Sequence, residues 1–449
     1  MMRYSMNKIR AAAFAIAIAS IMLSASCAFS VDPSKFPKPP NNEDYGATPP
    51  DPADDDPASY VYIRAGAAAQ GTGASWDSAL REFPSRLTRG KIYWISSGSY
   101  SAPTLSSVSG SDASKWIQIR HATAESHGSD AGWSASYSSG PTVLTPLVIT
   151  VPRVALDGVS DGGIKVVGTY GGTYTDVDVS ANEIYFNRVD MDGNFAKNSS
   201  GYHIQGSGTA LYLSGSDCSV ISCSIHGVAD DPVVIDNAVR LLFKDNKIYD
   251  MFGCGTDGGT GPVYNGHSDG VEMVSSSYSC FEGNYIIAPV EGSTNAAFYF
   301  ADWVSSPAEY NHDIIFRNNV FYKSISFAVY IIQAKNIEFY NNTVWGNPEG
   351  GPWGGGLIIG PEVSGLKMRN NILLFARFAY WDSSVRWDAA KYSGDHNLFG
   401  FDAGDWPLQQ GDFLEADPKF ASIPNANSTV FIEDAAMEAW IAGFQQANP

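Results

Sequence analysis

The sequence predicts an all-β chain wound as a right-handed, single-stranded parallel β-helix, a solenoid with small capping elements at both ends. Three observations predict it. A short pattern carrying Asn recurs along the chain, a strand of period-two alternation precedes each copy, and every large insertion falls at one place in the repeat.

The recurring pattern is an apolar residue, a variable one, a small or polar one, then Asn. It reads Phe243-Lys244-Asp245-Asn246, Phe281-Glu282-Gly283-Asn284, Phe316-Arg317-Asn318-Asn319, Phe339-Tyr340-Asn341-Asn342 and Met368-Arg369-Asn370-Asn371, with Val189, Cys223 and Asn397 at the same phase. Successive anchors are 34, 23, 38, 35, 23, 29 and 26 residues apart, so the base period is 23 and the excess is inserted loop. Stacked Asn side chains hydrogen-bond the turns above and below, which explains one polar type recurring beside a core. A β-propeller or β-sandwich would require hairpin turn pairs, which the chain lacks.

About eleven residues before each anchor lies an alternating strand: Leu211-Tyr212-Leu213, Val233-Val234-Ile235, Val271-Glu272-Met273, Phe298-Tyr299-Phe300 and Val329-Tyr330-Ile331. The central residue of each faces out, giving an outward column Tyr212, Val234, Glu272, Tyr299, Tyr330. A second column on the next strand reads Lys244, Glu282, Arg317, Tyr340, Arg369. The insertions at 250 to 268, 287 to 296 and 345 to 356 all follow the Asn turn, so they wall one groove. Residues 154 to 400 should form at least eight coils. Ser75 to Phe83 resembles a short capped helix ended by Pro84, followed by an apolar strand at Ile92 to Ile95. Met437, Trp440, Ile441 and Phe444 follow helical spacing on a terminal cap. Residues 59 to 449 are read as one domain.

Residues 1 to 30 read as an export signal: Arg3, Lys8 and Arg10 precede an apolar run from Ala11 to Leu23 that is too short to span a bilayer. Cleavage after Ser30 is one outcome. Lipidation at Cys27, where Leu23-Ser24-Ala25-Ser26 approximates a lipoprotein box, is the other and the only route to a membrane. Both place the protein outside the cytoplasm, secreted or at the cell surface. Residues 31 to 58 hold eight prolines and seven acidic residues against two lysines, the composition of a disordered tether. The full chain carries −19, and loss of the three basic signal residues leaves −22, which argues against nucleic acid and anionic membrane surfaces as partners. A monomer is expected. Of the cysteines that survive export, Cys218, Cys223, Cys254 and Cys280 allow three pairings. Cys218 and Cys280 fall two coils apart, roughly 10 Å, too far for a bridge.

The acid-rich coils align without a gap, because Asp231 precedes Asn246 by fifteen residues and Asp269 precedes Asn284 by fifteen. Two carboxylates stacked ~5 Å apart repel, so a shared cation, a shared proton or divergent turns must relieve them. With Asp230, His267 and Glu272 they make a cluster at the mouth of the longest loop, suited to calcium or to acid/base work. Asp at a strand start also simply binds turn N–H groups. Tyr212, Tyr299, Tyr330, Trp345 and Trp353 offer flat faces with polar tips for sugar rings. His203, His226, His312 and His396 carry no metal-ligand spacing and read as solvated or core residues.

The chain resembles the pectate-lyase-like right-handed parallel β-helix superfamily over most of residues 59 to 420. The resemblance rests on Gly71-Thr72-Gly73, Ser75-Trp76 and Arg89-Gly90, on the Asn turns, and on Asp417-Pro418-Lys419-Phe420. His267-Ser268-Asp269-Gly270 is similar to His-x-Asp-Gly turns near carbohydrate sites in that superfamily. The chain departs from the pectin hydrolases of this fold, having Asp230-Asp231 without their following His-Gly and Arg-x-Lys elements. It also lacks the Arg-rich strand of the best-known pectate lyases. The resemblance implies an exported polysaccharide lyase, cleaving a uronate-containing polysaccharide by metal-assisted β-elimination. Asp231 and Asp269 would hold calcium and His267, or Lys244, would be the base. A glycoside hydrolase using two of Asp230, Asp231, Asp269 and Glu272 is the first alternative. A non-catalytic glycan-binding or surface adhesion protein is the second.

Overall fold

Apolar and polar residues alternate in short segments joined by turns that carry the chain onward instead of reversing it, so each strand completes its hydrogen bonds with the equivalent strand one repeat away. The computed structural model describes residues 45–47, 50, 56–69, 71–168, 175–194, 196–197, 203–204, 208–251, 268–287, 296–301, 306–324, 327–346, 356–374, 378–380, 387–400 and 404–414. All belong to the compact unit Lys38–Pro418. Three parallel sheets result. Sheet 1 has twelve strands, from Tyr60–Ile63 to Tyr392–Asp395; sheet 2 has twelve, from Gly98–Tyr100 to Phe413–Leu414; sheet 3 has nine, from Leu147–Ile149 to Phe378–Tyr380. One coil runs through Val233–Asp236 in sheet 3, Leu242–Lys244 in sheet 1 and Lys247–Met251 in sheet 2, then returns to sheet 3 at Val271–Val274. Nine sheet 1 strands lie between Val154 and Asp395, in keeping with at least eight coils. Ala196–Lys197 and His203–Ile204 form a separate antiparallel pair.

The asparagines form the ladder the period predicts. Asn246, Asn284, Asn319, Asn342 and Asn371 each accept, through Oδ1, the backbone N–H of the preceding rung at 2.9–3.1 Å. Each Nδ2 also donates to a carbonyl near the core, as Asn319 does to Phe281 at 2.9 Å. The ladder extends to Asn397 and ends on Asp412, whose Oδ1 receives the Asn397 N–H at 2.6 Å. The residue before each rung turns the chain in the left-handed region, with φ of 55° at Asp245, 67° at Gly283, 58° at Asn318, 54° at Asn341 and 53° at Asn370. Asn, Asp and Gly adopt that conformation with the least strain, which accounts for the paired polar residues at each turn. Behind the ladder, Phe243, Phe281, Phe316 and Phe339 fill the core, their rings 5.1–5.8 Å apart.

One predicted element is not formed. Ser75 to Phe83 makes turns instead of a helix, because its backbone groups cap the first strand. Leu80 donates its N–H to the Tyr62 carbonyl at 2.8 Å and accepts that of Arg64 at 2.8 Å. Trp76, fully buried, donates Nε1–H to the His127 carbonyl at 3.0 Å and packs 5.0 Å from both Tyr62 and Trp133. Ile92–Ile95 is a strand as expected. Met437, Trp440, Ile441 and Phe444 lie outside the described residues, as does Cys254. Cys218, Cys223 and Cys280 are free buried thiols whose pKa values burial pushes up to about 12. Cys218 and Cys280 stand two strands apart, as the spacing requires.

On the outside of sheet 2, His226 is half-buried in a charged network that the sequence does not announce. Its Nε2 bonds Asp190 at 2.8 Å, its ring stacks on Tyr249 at 4.6 Å, and Lys165 lies 2.7 Å from Asp192 and 3.3 Å from Asp190. Burial opposes the charged ring, but the Asp190 hydrogen bond and the two carboxylates outweigh it, so the His226 pKa is raised. The stabilisation is therefore complete below the unfolded value of about 6.5 and is lost as pH rises through the folded value. His226→Gln should lower stability by roughly 2 kcal/mol at pH 5.5 and by little at pH 9, read from denaturant unfolding at both pH values.

Candidate functional site

The outer face of sheet 3 carries the predicted column in register: Tyr212 pairs with Val234, Val234 with Glu272, Glu272 with Tyr299 and Tyr299 with Tyr330. Asp178 extends it on the other side of Tyr212. The strands flanking the three insertions end at Met251, Ile287 and Gly346 in sheet 2 and resume at Val271, Ala296 and Gly356 in sheet 3, so all three loops enter the same edge of this face.

Asp231 and Asp269 are neighbours on successive coils, two residues ahead of Val233 and Val271, which pair. Both are buried, 5% and 2% exposed, and each carboxylate caps the next coil: the Asp269 N–H donates to Asp231 Oδ1, and the Ala296 N–H donates to Asp269 Oδ1 at 2.6 Å. Gly270 follows because a Cβ there would lie 2.4 Å from the Ala297 carbonyl. Asp230 is exposed beside this pair, its carbonyl accepting the Ser268 hydroxyl at 2.8 Å, and Glu272 is 4% exposed in the outward column. Burial first, then the charges of Asp230, Asp269 and Glu272, raise the Asp231 pKa well above the carboxylate range. Asp269 is raised by burial and by Glu272 and Asp230, against its bond from Ala296. The arrangement favours the protonated form of Asp231 and Asp269.

Tyr212 donates its hydroxyl to Asp236 Oδ2 at 2.7 Å, and burial together with that carboxylate pushes its pKa to about 12. Tyr299 and Tyr330 stack at 5.5 Å, with Phe327 5.0 Å from Tyr330. Two candidates stand elsewhere. Lys244 lies in sheet 1, 3.9 Å from Glu282, and Trp345 lies in sheet 2, 3% exposed against Tyr322. His267 and Trp353 lie outside the described residues. Sequence reasoning passed over Ser268 and Asp178; the alternation itself would have placed Asp178, since it is the outward residue of Val177-Asp178-Val179.

A divalent cation needs several converging oxygens. Among the described residues no three of His, Cys, Asp and Glu are placed to hold one, and Asp231 and Asp269 each have Oδ1 engaged by a backbone N–H.

The family described as right handed beta helix region matches residues 149–373, half of the chain. No curated protein matches. Among solved structures the chain is similar to PfbA, a surface adhesin of Streptococcus pneumoniae, at 11% identity and TM-score 0.38, covering 60% of this chain and 73% of that one. It is similar to a pectate lyase at 12% identity and TM-score 0.39, covering 80% and 78%. It is also similar to the Dettilon tailspike protein at 13% identity and TM-score 0.37, covering 72% and 62%.

Proposed function

The chain belongs to the right handed beta helix region family, and from that premise we propose that it is an exported carbohydrate-active enzyme that cleaves a polysaccharide laid along the outer face of sheet 3. The observation that carries this reading is the cluster Asp230, Asp231, Asp269 and Glu272, set in line with the aromatic column and beside the edge where the insertions enter. Hydrolysis is the reaction class best suited to it. One carboxyl gives a proton to the glycosidic oxygen and a second activates water or attacks the anomeric carbon. Glu272, buried beside Asp231 and Asp269, serves as the acid; exposed Asp230 serves as the base or nucleophile. Asp231 and Asp269 position them and hold charge down.

The described outward column contains Asp178 and Glu272 and no lysine or arginine, so a uronate there meets like charge. A neutral glycan fits better, with Tyr212, Tyr299 and Tyr330 supplying ring faces. Metal-assisted β-elimination is the second reading. It is favoured by the adjacency of His267 to Ser268, whose hydroxyl reaches Asp230, and it needs calcium to offset the uronate.

Incubation with a panel of purified neutral and uronate polysaccharides tests this. New reducing ends without ultraviolet-absorbing products, insensitive to chelator, are expected. Unsaturated, absorbing products lost in chelator would replace hydrolysis by elimination. Binding with no product from any polysaccharide would overturn the enzyme and leave a glycan-binding rod.

A further inference from the structure

The outer face of sheet 1 is covered, and by this chain's own N-terminal segment. Ser219, Leu242, Cys280, Ile315 and Glu338 occupy one register column. Their strand neighbours Val220, Phe243, Phe281 and Phe316 belong to the core, so this column points outward. Yet Ser219, Cys280 and Ile315 are 0% exposed and Glu338 is 4%. A sheet cannot bury its own outer face.

Residues 45–47, inside the segment whose composition reads as a disordered tether, lie on it. Gly46 donates its N–H to the Arg240 carbonyl at 3.0 Å, and the Ala47 carbonyl accepts the Ser219 hydroxyl at 3.1 Å. A Cβ on Gly46 would stand 2.3 Å from Ser219 Oγ and 2.7 Å from Leu242 Cβ, and its φ is +78°, so only glycine fits this crossing. The Tyr45 side chain is half-buried and within electrostatic reach of Cys280, Glu338, Arg317 and Asp313, all on sheet 1 strands further along the rod than that of Ser219. The segment therefore crosses the strands along the rod.

We propose that the outer face of sheet 1 is a peptide-docking groove whose occupant is residues 45–47 of the same chain, and that this strap seals the thiol of Cys280. The other described thiols, Cys218 and Cys223, belong to the core and owe nothing to the strap. The groove selects a segment with a left-handed glycine at the Ser219 crossing and an aromatic residue one position before it. Among the described residues the strap is held from the Arg240 carbonyl, the Ser219 hydroxyl and the surroundings of the Tyr45 ring, so it can leave while the rod stays folded.

The test is the labelling of each thiol by a maleimide in the native full chain, assigned by peptide mass spectrometry. In the wild type Cys218, Cys223 and Cys280 stay protected. In Gly46→Val, Cys280 should label at least tenfold faster while Cys218 and Cys223 do not change. A synthetic peptide of residues 41–50 should slow that labelling in the variant. Should Gly46→Val open the rod, all three thiols react together, and Tyr45→Ala, which introduces no clash, decides on the same readout. Cys280 equally protected in a folded variant, or already reactive in the wild type, overturns the proposal.

Discussion

Asn319→Ala should cost about 4 kcal/mol of stability, among the largest effects of any single polar substitution in this rod. The side chain accepts the Asn284 N–H and Nδ2–H at 2.9 Å through Oδ1, and donates to the Phe281 carbonyl and to Asn342 Oδ1 at 2.9 Å. Alanine leaves the Asn284 N–H and the Phe281 carbonyl buried without these partners, each worth about 1–3 kcal/mol, and adds a small void. The neighbouring Asn318→Ala removes only a residue suited to its φ of 58°, and should cost about 1 kcal/mol. Denaturant unfolding of the two variants checks the contrast. Equal losses would mean that the turn conformation, not the ladder, holds the coils in register.

Glu272→Gln and Asp230→Asn should each lower kcat by roughly 10²- to 10⁴-fold on whichever glycan the wild type cleaves, the usual contribution of positioned acid/base groups. Both substitutions keep shape and leave the backbone ladder of sheet 3 intact. Tyr299→Ala should instead act mainly through KM, because it removes a ring face and no proton carrier. Wild-type kcat in Glu272→Gln would remove the proposed acid.

Much of this was legible because the chain is a repeat. The spacing of Asn246, Asn284, Asn319, Asn342 and Asn371 fixes one register, and alternation then fixes both outward columns, down to the pairs Tyr212 with Val234 and Lys244 with Glu282. The fifteen-residue offset likewise makes Asp231 and Asp269 neighbours. What spacing does not encode is where a side chain reaches across coils. The Asp231 and Asp269 carboxylates turn along the rod, each accepting a backbone N–H of the next coil. Trp345 sits late enough in its coil to have passed for a groove residue, yet it packs on Tyr322 in sheet 2. Ser75 to Phe83 has helical composition, but the exposed end of a solenoid consumes those backbone groups as a cap. The docking of Tyr45–Ala47 was hidden because prolines and acids dominate the composition around those three residues.

The central claim is that burial and mutual repulsion in the carboxyl cluster on sheet 3 favour the protonated form of Asp231 and Asp269. Its most direct test is the pH dependence of stability in Asp269→Asn against wild type, with and without calcium. Asparagine still accepts the Ala296 N–H through its amide oxygen, so the cap survives. The raised folded pKa of Asp269 means that its favourable, protonated state is fully present below the unfolded value of about 3.9 and is lost as pH rises through the folded value. The variant, neutral throughout, should therefore gain on wild type as pH rises from the unfolded value through the folded one, by the same amount in calcium and in chelator. A variant less stable than wild type at high pH, with the deficit appearing only when calcium is present, would contradict the account and make the pair a metal site.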